Sequence, residues 1–159
     1  MPGLRDCTFR DLPPPVLYEL VYNSVSVPID MGQDKLARIL AGARRRNREL
    51  GITGLLLYHQ GEFLQLLEGE KQAVLDLYHR IIAPDARHRH ASVCWEDPIK
   101  QRGFADWSMG FSSAQDLDPP PPGMEGYLDG GLAALDLSGP ASTGRKALLA
   151  IYDLMRSRP

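Results

Sequence analysis

Three polar side chains fall at positions where the hydrophobic pattern predicts a buried face. Tyr22 lies in a strand-like run, Asn47 lies on the apolar stripe of a predicted helix, and Gln65 alternates with apolar residues in a second strand. A buried amide without a hydrogen-bond partner costs about 1 to 3 kcal/mol. A phenol can release a proton and an electron, and a carboxamide carries a donor and an acceptor on one planar group. Grouped together, these side chains could form a switchable hydrogen-bond network.

Each of the three residues also has a purely structural interpretation. Asn47 could hold a neighbouring loop, Gln65 could face solvent, and Tyr22 could be a core residue whose hydroxyl reaches water. Trp107 and Met109, on one side of the last predicted strand, could be core residues or a pocket wall. Spacing alone leaves these alternatives open.

Hydrophobic periodicity predicts the elements that position these residues. A strand is predicted from Val16 to Ser26, followed by a helix that begins at a capping box, Asp30 to Gln33, and ends at Gly51. Arg44, Arg45 and Arg48 lie off its apolar stripe and are expected to face water.

The next elements are a hairpin, a second helix and two weaker strands. The predicted spans are Ile52 to Tyr58, Glu62 to Leu67, a helix from Glu70 to Pro84, Ala91 to Glu96, and Ser108 to Ser112. This order indicates an α+β fold, a ferredoxin-like βαββαββ arrangement with a five-stranded mixed sheet and two helices on one face.

The chain of 159 residues divides by composition into four parts. We expect an irregular N-terminal arm over residues 1–15, a folded domain over 16–114, a Pro/Gly-rich linker over 115–142 and a C-terminal helix over 143–159. The apolar stripe of the last helix predicts that it docks on the domain or on a partner.

Composition excludes several classes of protein. The chain has 18 Lys and Arg against 20 Asp and Glu, so direct binding to nucleic acid or to an anionic membrane is not expected. Its two cysteines, Cys7 and Cys94, and its histidines predict neither a disulfide scaffold nor a metal site. No secretory signal or membrane span is predicted, so we expect a cytoplasmic protein. Neither a nucleotide-binding fingerprint nor a catalytic triad is present.

Four short motifs, taken in order, resemble the BLUF family of flavin-binding blue-light sensors over about residues 16 to 112. They are Leu20-Val21-Tyr22-Asn23-Ser24; Asn47 ahead of Gly51-Ile52-Thr53-Gly54-Leu55-Leu56; Phe63-Leu64-Gln65-Leu66-Leu67-Glu68-Gly69; and Phe104-x-x-Trp107-Ser108-Met109. The resemblance implies a five-stranded sheet with FAD held between two helices on one face.

The resemblance also implies a role for each site residue. Tyr22 is the photoactive phenol, Gln65 lies between that phenol and the flavin, and Asn47 hydrogen-bonds the edge of the ring. Ile39 and Ile81 flank the flavin ring system, and Arg80 lies near the FAD phosphates. Arg46 occupies a position that varies in the family, so the resemblance does not settle whether it touches the flavin.

The implied function is that of a blue-light photoreceptor and not of an enzyme. Light absorbed by FAD moves an electron and a proton from Tyr22, and the Gln65 hydrogen bonds rearrange. Trp107 and Met109 are expected to relay the change through the last strand and C-terminal segment to an unidentified downstream protein, in an expected homo-oligomer.

Two other functions remain alternatives at this point. The first is a small phosphate hydrolase of the acylphosphatase type using Arg80 and Asn47, although the glycine-rich phosphate loop of that class is missing. The second is a flavin-free interaction module.

Overall fold

The computed structural model describes residues 15–29, 32–104, 110–113 and 142–157. Its elements are β1 (Leu17–Ser26), α1 (Gln33–Leu50), β2 (Thr53–His59), β3 (Glu62–Glu70), α2 (Lys71–Asp76), β4 (His88–Pro98), β5 (Gly110–Ser113) and α3 (Thr143–Ser157). A π-helical segment, Leu77–Ile82, continues α2 without a break. The predicted α+β class is confirmed, and the order of elements agrees with the predicted one.

The strands lie in the order β4-β1-β3-β2-β5. Neighbouring strands are antiparallel from β4 through β1 and β3 to β2. The short β5 pairs parallel to β2 at the edge of the sheet. The β2–β3 hairpin turns at Gln60 and Gly61, whose φ angles are 46° and 83°. Two successive positive φ angles match the twist of the flanking strands, which is why glycine suits this turn.

The first face of the sheet is covered by α1 and by α2 with its π-helical continuation. Apolar residues of β1 and β3 pack there against Leu36 and Leu40 of α1 and against Val74 and Leu77. Gly51 ends α1 in the left-handed conformation, as predicted.

Two details of α1 differ from the prediction. The helix begins after Gly32, whose backbone is extended and which provides no side-chain cap, so the capping box at Asp30 is wrong. Arg44 is buried rather than exposed. It follows the buried Leu40 by one helical turn and so shares the packed side of the helix, whereas Arg45 and Arg48 are exposed.

The second predicted helix is only partly α-helical. Six residues form α2, and the backbone N–H of Ala83 then donates to the carbonyl of Tyr78, five residues earlier. The carboxylate of Glu70 caps the start by accepting the N–H groups of Gln72 and Ala73. π-helical turns are often found at functional sites. Apolar spacing over six residues does not distinguish such a turn from an α-helix.

The opposite face of the sheet is covered by α3. Its buried residues Leu148, Tyr152 and Met155 pack on apolar side chains of β1, β2 and β3. The predicted C-terminal helix therefore docks on the domain itself. Its start is held by Glu19, which accepts the Ser142 hydroxyl at 2.6 Å and the Gly144 N–H at 2.9 Å.

Several predictions lie outside the described residues. They include the relay residues Trp107 and Met109 and all but the last residue of both the arm over 1–15 and the linker over 115–142. Within the described part of the chain, no helix combines the length and hydropathy required to cross a bilayer.

Candidate functional site

Tyr22 and Gln65 face each other directly across the β1–β3 pair. Side chains alternate along a strand, so this register places both on the face covered by α1 and α2. Both are at most 5% exposed, and the Tyr22 hydroxyl donates a hydrogen bond to Gln65 Oε1. The two buried polar groups that the sequence pattern singles out in β1 and β3 are therefore hydrogen-bonded to each other.

A cavity of about 130 Å³ opens beside this pair. Its walls come from the sheet, from α1, and from the π-helical segment with the turn that follows. The lining residues are Tyr22, Ile39, Gly42, Ala43, Arg46, Leu56, Phe63, Gln65, Ile81, Ile82, Asp85, Arg87 and His88. The lining thus combines apolar residues from the sheet and both helical segments with polar groups of the sheet, of α1 and of the turn.

The sequence of α1 explains why the helix leaves space over the sheet. Ile39, Gly42, Ala43 and Arg46 recur at helical spacing and share one face. Gly42 carries no side chain, and a Cβ built there meets no heavy atom within 4 Å. A planar group could therefore approach the helix closely at this point.

Burial controls the acid–base state of Tyr22. Desolvation raises its pKa well above the ordinary value, the neighbouring Tyr78 raises it further, and the charge of Arg46 partly opposes the shift. The rings of Tyr22 and Tyr78 lie 5.2 Å apart, tilted by 48°. The phenol is therefore neutral at physiological pH and available as a donor.

Arg46 contributes a half-buried guanidinium group to the cavity wall. Burial lowers its pKa, and among the described residues its buried Nε has no hydrogen-bond partner. Arginine remains charged in proteins even when its pKa is lowered. The cavity therefore contains a cationic donor with an unused N–H.

The turn after the π-helical segment supplies the remaining polar groups. Arg87 donates from Nε to both carboxylate oxygens of Asp85 and from Nη2 to Oδ2, the last at 2.6 Å. The hydrogen bonds from Arg87 lower the pKa of Asp85. His88 Nε2 donates to the Ile82 carbonyl, so in the neutral ring Nδ1 accepts the Ser24 hydroxyl at 2.7 Å.

The structure brings together four of the predicted cofactor residues: Tyr22, Ile39, Gln65 and Ile81 all line the cavity. Asn47 is buried at 1% exposure but is not among the lining residues, so its predicted contact with a flavin remains a prediction. Arg80 lies outside the cavity: its side chain is 79% exposed and approaches Asp76 at 3.7 Å.

Sequence reasoning missed Arg87 and His88 as lining residues and left Arg46 undecided. The available signal for the first two is the run of basic residues after Pro84, which fits a solvated turn as well as a rim that binds an anionic group. A turn has no periodicity that would show which of these side chains point inward.

Comparison with known proteins identifies the domain. A family model described as BLUF, sensors of blue light using FAD, matches residues 17–110. The chain belongs to the BLUF family. Its matched part is a blue-light sensor domain that uses FAD, and this assignment favours the sensor over the hydrolase alternative.

Individual relatives agree with this assignment. The dark-state structure of the BLUF protein BlrB is 33% identical with a TM-score of 0.61, and the match covers 87% of this chain and 98% of that one. Photoactivated adenylate cyclase subunit beta of Euglena longa is 39% identical over 93 residues, which is 58% of this chain and 11% of that protein. The blue light- and temperature-regulated antirepressor BluF of Escherichia coli strain K12 is 37% identical, covering 59% of this chain and 23% of the relative. This chain therefore spans only a small part of the curated relatives' length.

Proposed function

We propose that Tyr22 and Gln65 are the light-responsive hydrogen-bond pair of this BLUF domain, and that the protein is a blue-light sensor that signals to a partner. The observation that carries this proposal is the buried hydrogen bond between them, which lies at the wall of a cavity between two helices. In this role the protein is a sensor module and not an enzyme.

The cavity suits the ring system of a flavin. Ile39 and Ile81, on its two helical sides, provide aliphatic surface for the faces of a planar ring, and the open space at Gly42 allows close approach. The unpartnered Nε of Arg46 offers a donor to a polar ring atom. Bound FAD would supply the absorption of blue light and the acceptor for an electron.

The contribution of Tyr22 is a neutral phenol whose proton is directed at Gln65 Oε1. Because burial keeps this phenol protonated, it can give up an electron and a proton together. With Oε1 facing Tyr22, the two N–H groups of the amide point elsewhere. If the two ends of the amide exchange places, the Tyr22 hydroxyl must accept where it now donates, so one rotation reverses the direction of the network.

We propose that the signal leaves through β3 and the segment after Phe104. Three residues beyond Gln65 on the same strand, Glu68 accepts the backbone N–H groups of Gly103 and Phe104 at 2.8 and 2.6 Å. This contact supports a connection from β3 to the stretch that contains Trp107 and Met109. The downstream partner would be a separate protein or a second copy of this chain in the cytoplasm.

An absorption experiment tests the function. The full chain, purified and reconstituted with FAD, should show flavin bands that move reversibly to longer wavelength under blue light. Tyr22→Phe should retain the flavin but lose the shift, because no hydroxyl remains to pair with Gln65. Tyr18→Phe is the matched control, since Tyr18 lies on the same strand and face and donates to Glu96 at 3.0 Å.

Each other outcome contradicts part of the proposal. An intact shift in Tyr22→Phe rejects the assigned pair, and loss of the shift in Tyr18→Phe shows that the effect is not specific to the site. A preparation that binds no flavin would favour the flavin-free interaction module instead.

A further inference from the structure

Arg46 is a charged residue of the cavity wall to which the proposed function gives only one role, that of a hydrogen-bond donor to the ring. It lies one helical turn beyond Gly42 and Ala43 and two turns beyond Ile39, on the face of α1 that lines the cavity. Its Nε is buried, and no acceptor among the described residues binds it. Burying a donor without a partner is unfavourable, so the position is explained best by a ligand that supplies the acceptor.

The other ionisable groups of the cavity wall do not neutralise Arg46. Asp85 is the carboxylate of the described lining, and both its oxygens are engaged by Arg87. His88 donates to the Ile82 carbonyl and pairs with Ser24, and Tyr22 is kept neutral by burial. Because Arg87 occupies Asp85, Arg46 is the guanidinium of the described lining to which no carboxylate is hydrogen-bonded.

Arg46 lines the same cavity as the Tyr22–Gln65 pair of the sheet and the Asp85–Arg87 pair of the turn. Tyr22 is the nearest of these in electrostatic effect: after burial, which lowers it, the pKa of Arg46 is affected by Tyr22 first and then by Arg87 and Asp85. The charge of Arg46 in turn lowers the pKa of Tyr22, against the larger rise that burial causes. The guanidinium is therefore close enough to the Tyr22–Gln65 pair to influence charge that develops beside it.

We propose that Arg46 sets the reduction potential of the bound flavin by stabilising negative charge on the reduced ring. This inference rests on the proposed function, because it requires FAD in the cavity. The oxidised ring is neutral, and uptake of two electrons and one proton leaves it with one negative charge. A fixed cation therefore favours the reduced form over the oxidised one and raises the potential.

Redox titration of the FAD-reconstituted full chain, with dithionite as the electron donor, tests this proposal. Arg46→Gln should make reduction less favourable by about tenfold or more, a downward shift of about 30 mV for a two-electron couple. Arg45→Gln is the matched control, because it removes the same charge from the neighbouring, exposed position. Its potential should equal that of the unmodified protein.

A second variant covers the case in which Arg46→Gln loses FAD or fails to fold. Arg46→Lys keeps the positive charge, so its flavin reduction potential should stay close to that of the unmodified protein. A shift in the lysine variant as large as the one expected for glutamine would overturn the proposal. Equal potentials in Arg46→Gln and Arg45→Gln would overturn it as well.

Binding measurements separate a role at the ring from a role at the phosphates. If Arg46 held the phosphates, Arg46→Gln would weaken FAD but not riboflavin, and the potential would not move; that result rejects the proposal. If the unmodified protein binds FAD and responds to light while the potentials of the variants coincide, this inference fails and the proposed function stands. If the unmodified protein binds no flavin, both fail.

Discussion

On the face of the sheet covered by α1, Tyr22 and Gln65 form a neutral buried pair beside a cavity, whereas on the face covered by α3 the buried pair is Glu19 and Glu68. Both pairs are directly opposed in the β1–β3 register, three residues apart along each strand. An offset of three places them on opposite faces. The same two strands thus carry a neutral pair toward the cavity and a pair of carboxylates toward the C-terminal helix.

The two pairs are stabilised differently. Like charges opposite each other destabilise a sheet, so each carboxylate needs donors. Glu19 accepts from Ser142, Gly144 and the Trp95 indole, and Glu68 accepts from Thr53, Gly103 and Phe104. A carboxylate can only accept these hydrogen bonds, so their direction is fixed. They hold the segments that donate them in place. The Tyr22–Gln65 bond joins groups that can each donate or accept, so it can be reversed.

The largest expected effect distinguishes the two apolar cores. Leu40 of α1 and Leu148 of α3 are both fully buried, in different clusters. Replacing either by Ala should reduce the free energy of unfolding by about 2 to 5 kcal/mol. Only Leu40→Ala should also weaken FAD binding, because its cluster includes Tyr22 and Phe63 of the cavity wall. Denaturant unfolding and flavin titration measure the two effects, and equal losses of FAD affinity would show that the faces are not independent.

A smaller effect tests the carboxylate that holds α3. Glu19→Gln keeps an acceptor for Gly144 but removes the negative charge at the start of the helix. A charge in this position contributes typically 0.3 to 1 kcal/mol, so we expect a loss of about 1 kcal/mol and faster amide exchange across residues 143–157. The light-induced shift should remain.

Glu96→Gln is the matched control for Glu19→Gln. Glu96 is an exposed carboxylate on β4 that accepts a hydrogen bond from the Tyr18 hydroxyl but holds no helix, so Glu96→Gln should change the free energy of unfolding by no more than about 0.5 kcal/mol. Unchanged exchange of α3 in Glu19→Gln would mean that apolar packing alone holds the helix.

The contrast between the faces also shows what the sequence could predict. Alternation in β1 and β3 grouped Tyr22 and Gln65 each with apolar neighbours but left open whether Gln65 faces solvent, and helical spacing put Ile39 on the apolar stripe of α1. That these side chains share one site was implied by the resemblance and not by spacing. The stripe of Leu148, Tyr152 and Met155 predicted a helix that docks but not the surface that receives it. The roles of Glu19 and Glu68 depend on contacts with residues far along the chain, which periodicity does not reveal.

Basic residues near the cavity were harder to assign, for a physical reason. Arg80 lies in a π-helical segment, where side-chain directions depart from those of the α-helix that its spacing predicts. Arg87 lies in a turn, where no repeat relates position to direction. The resemblance favoured Arg80 as the residue near the phosphates, whereas the structure places Arg87 in the cavity wall.

The smallest expected effect is that of Arg80→Ala. This side chain is 79% exposed and its pairing with Asp76 is an exposed contact at 3.7 Å. Such pairs contribute little, so the free energy of unfolding should change by less than about 0.5 kcal/mol and FAD affinity should not change.

Arg87→Ala should instead weaken FAD binding several-fold, because it removes a donor from the cavity wall and leaves the Asp85 carboxylate to repel an anionic ligand. Fluorescence titration with FAD compares the affinities of the two variants. A larger loss of FAD affinity in Arg80→Ala than in Arg87→Ala would show that Arg80 is the residue near the phosphates, as the resemblance implies.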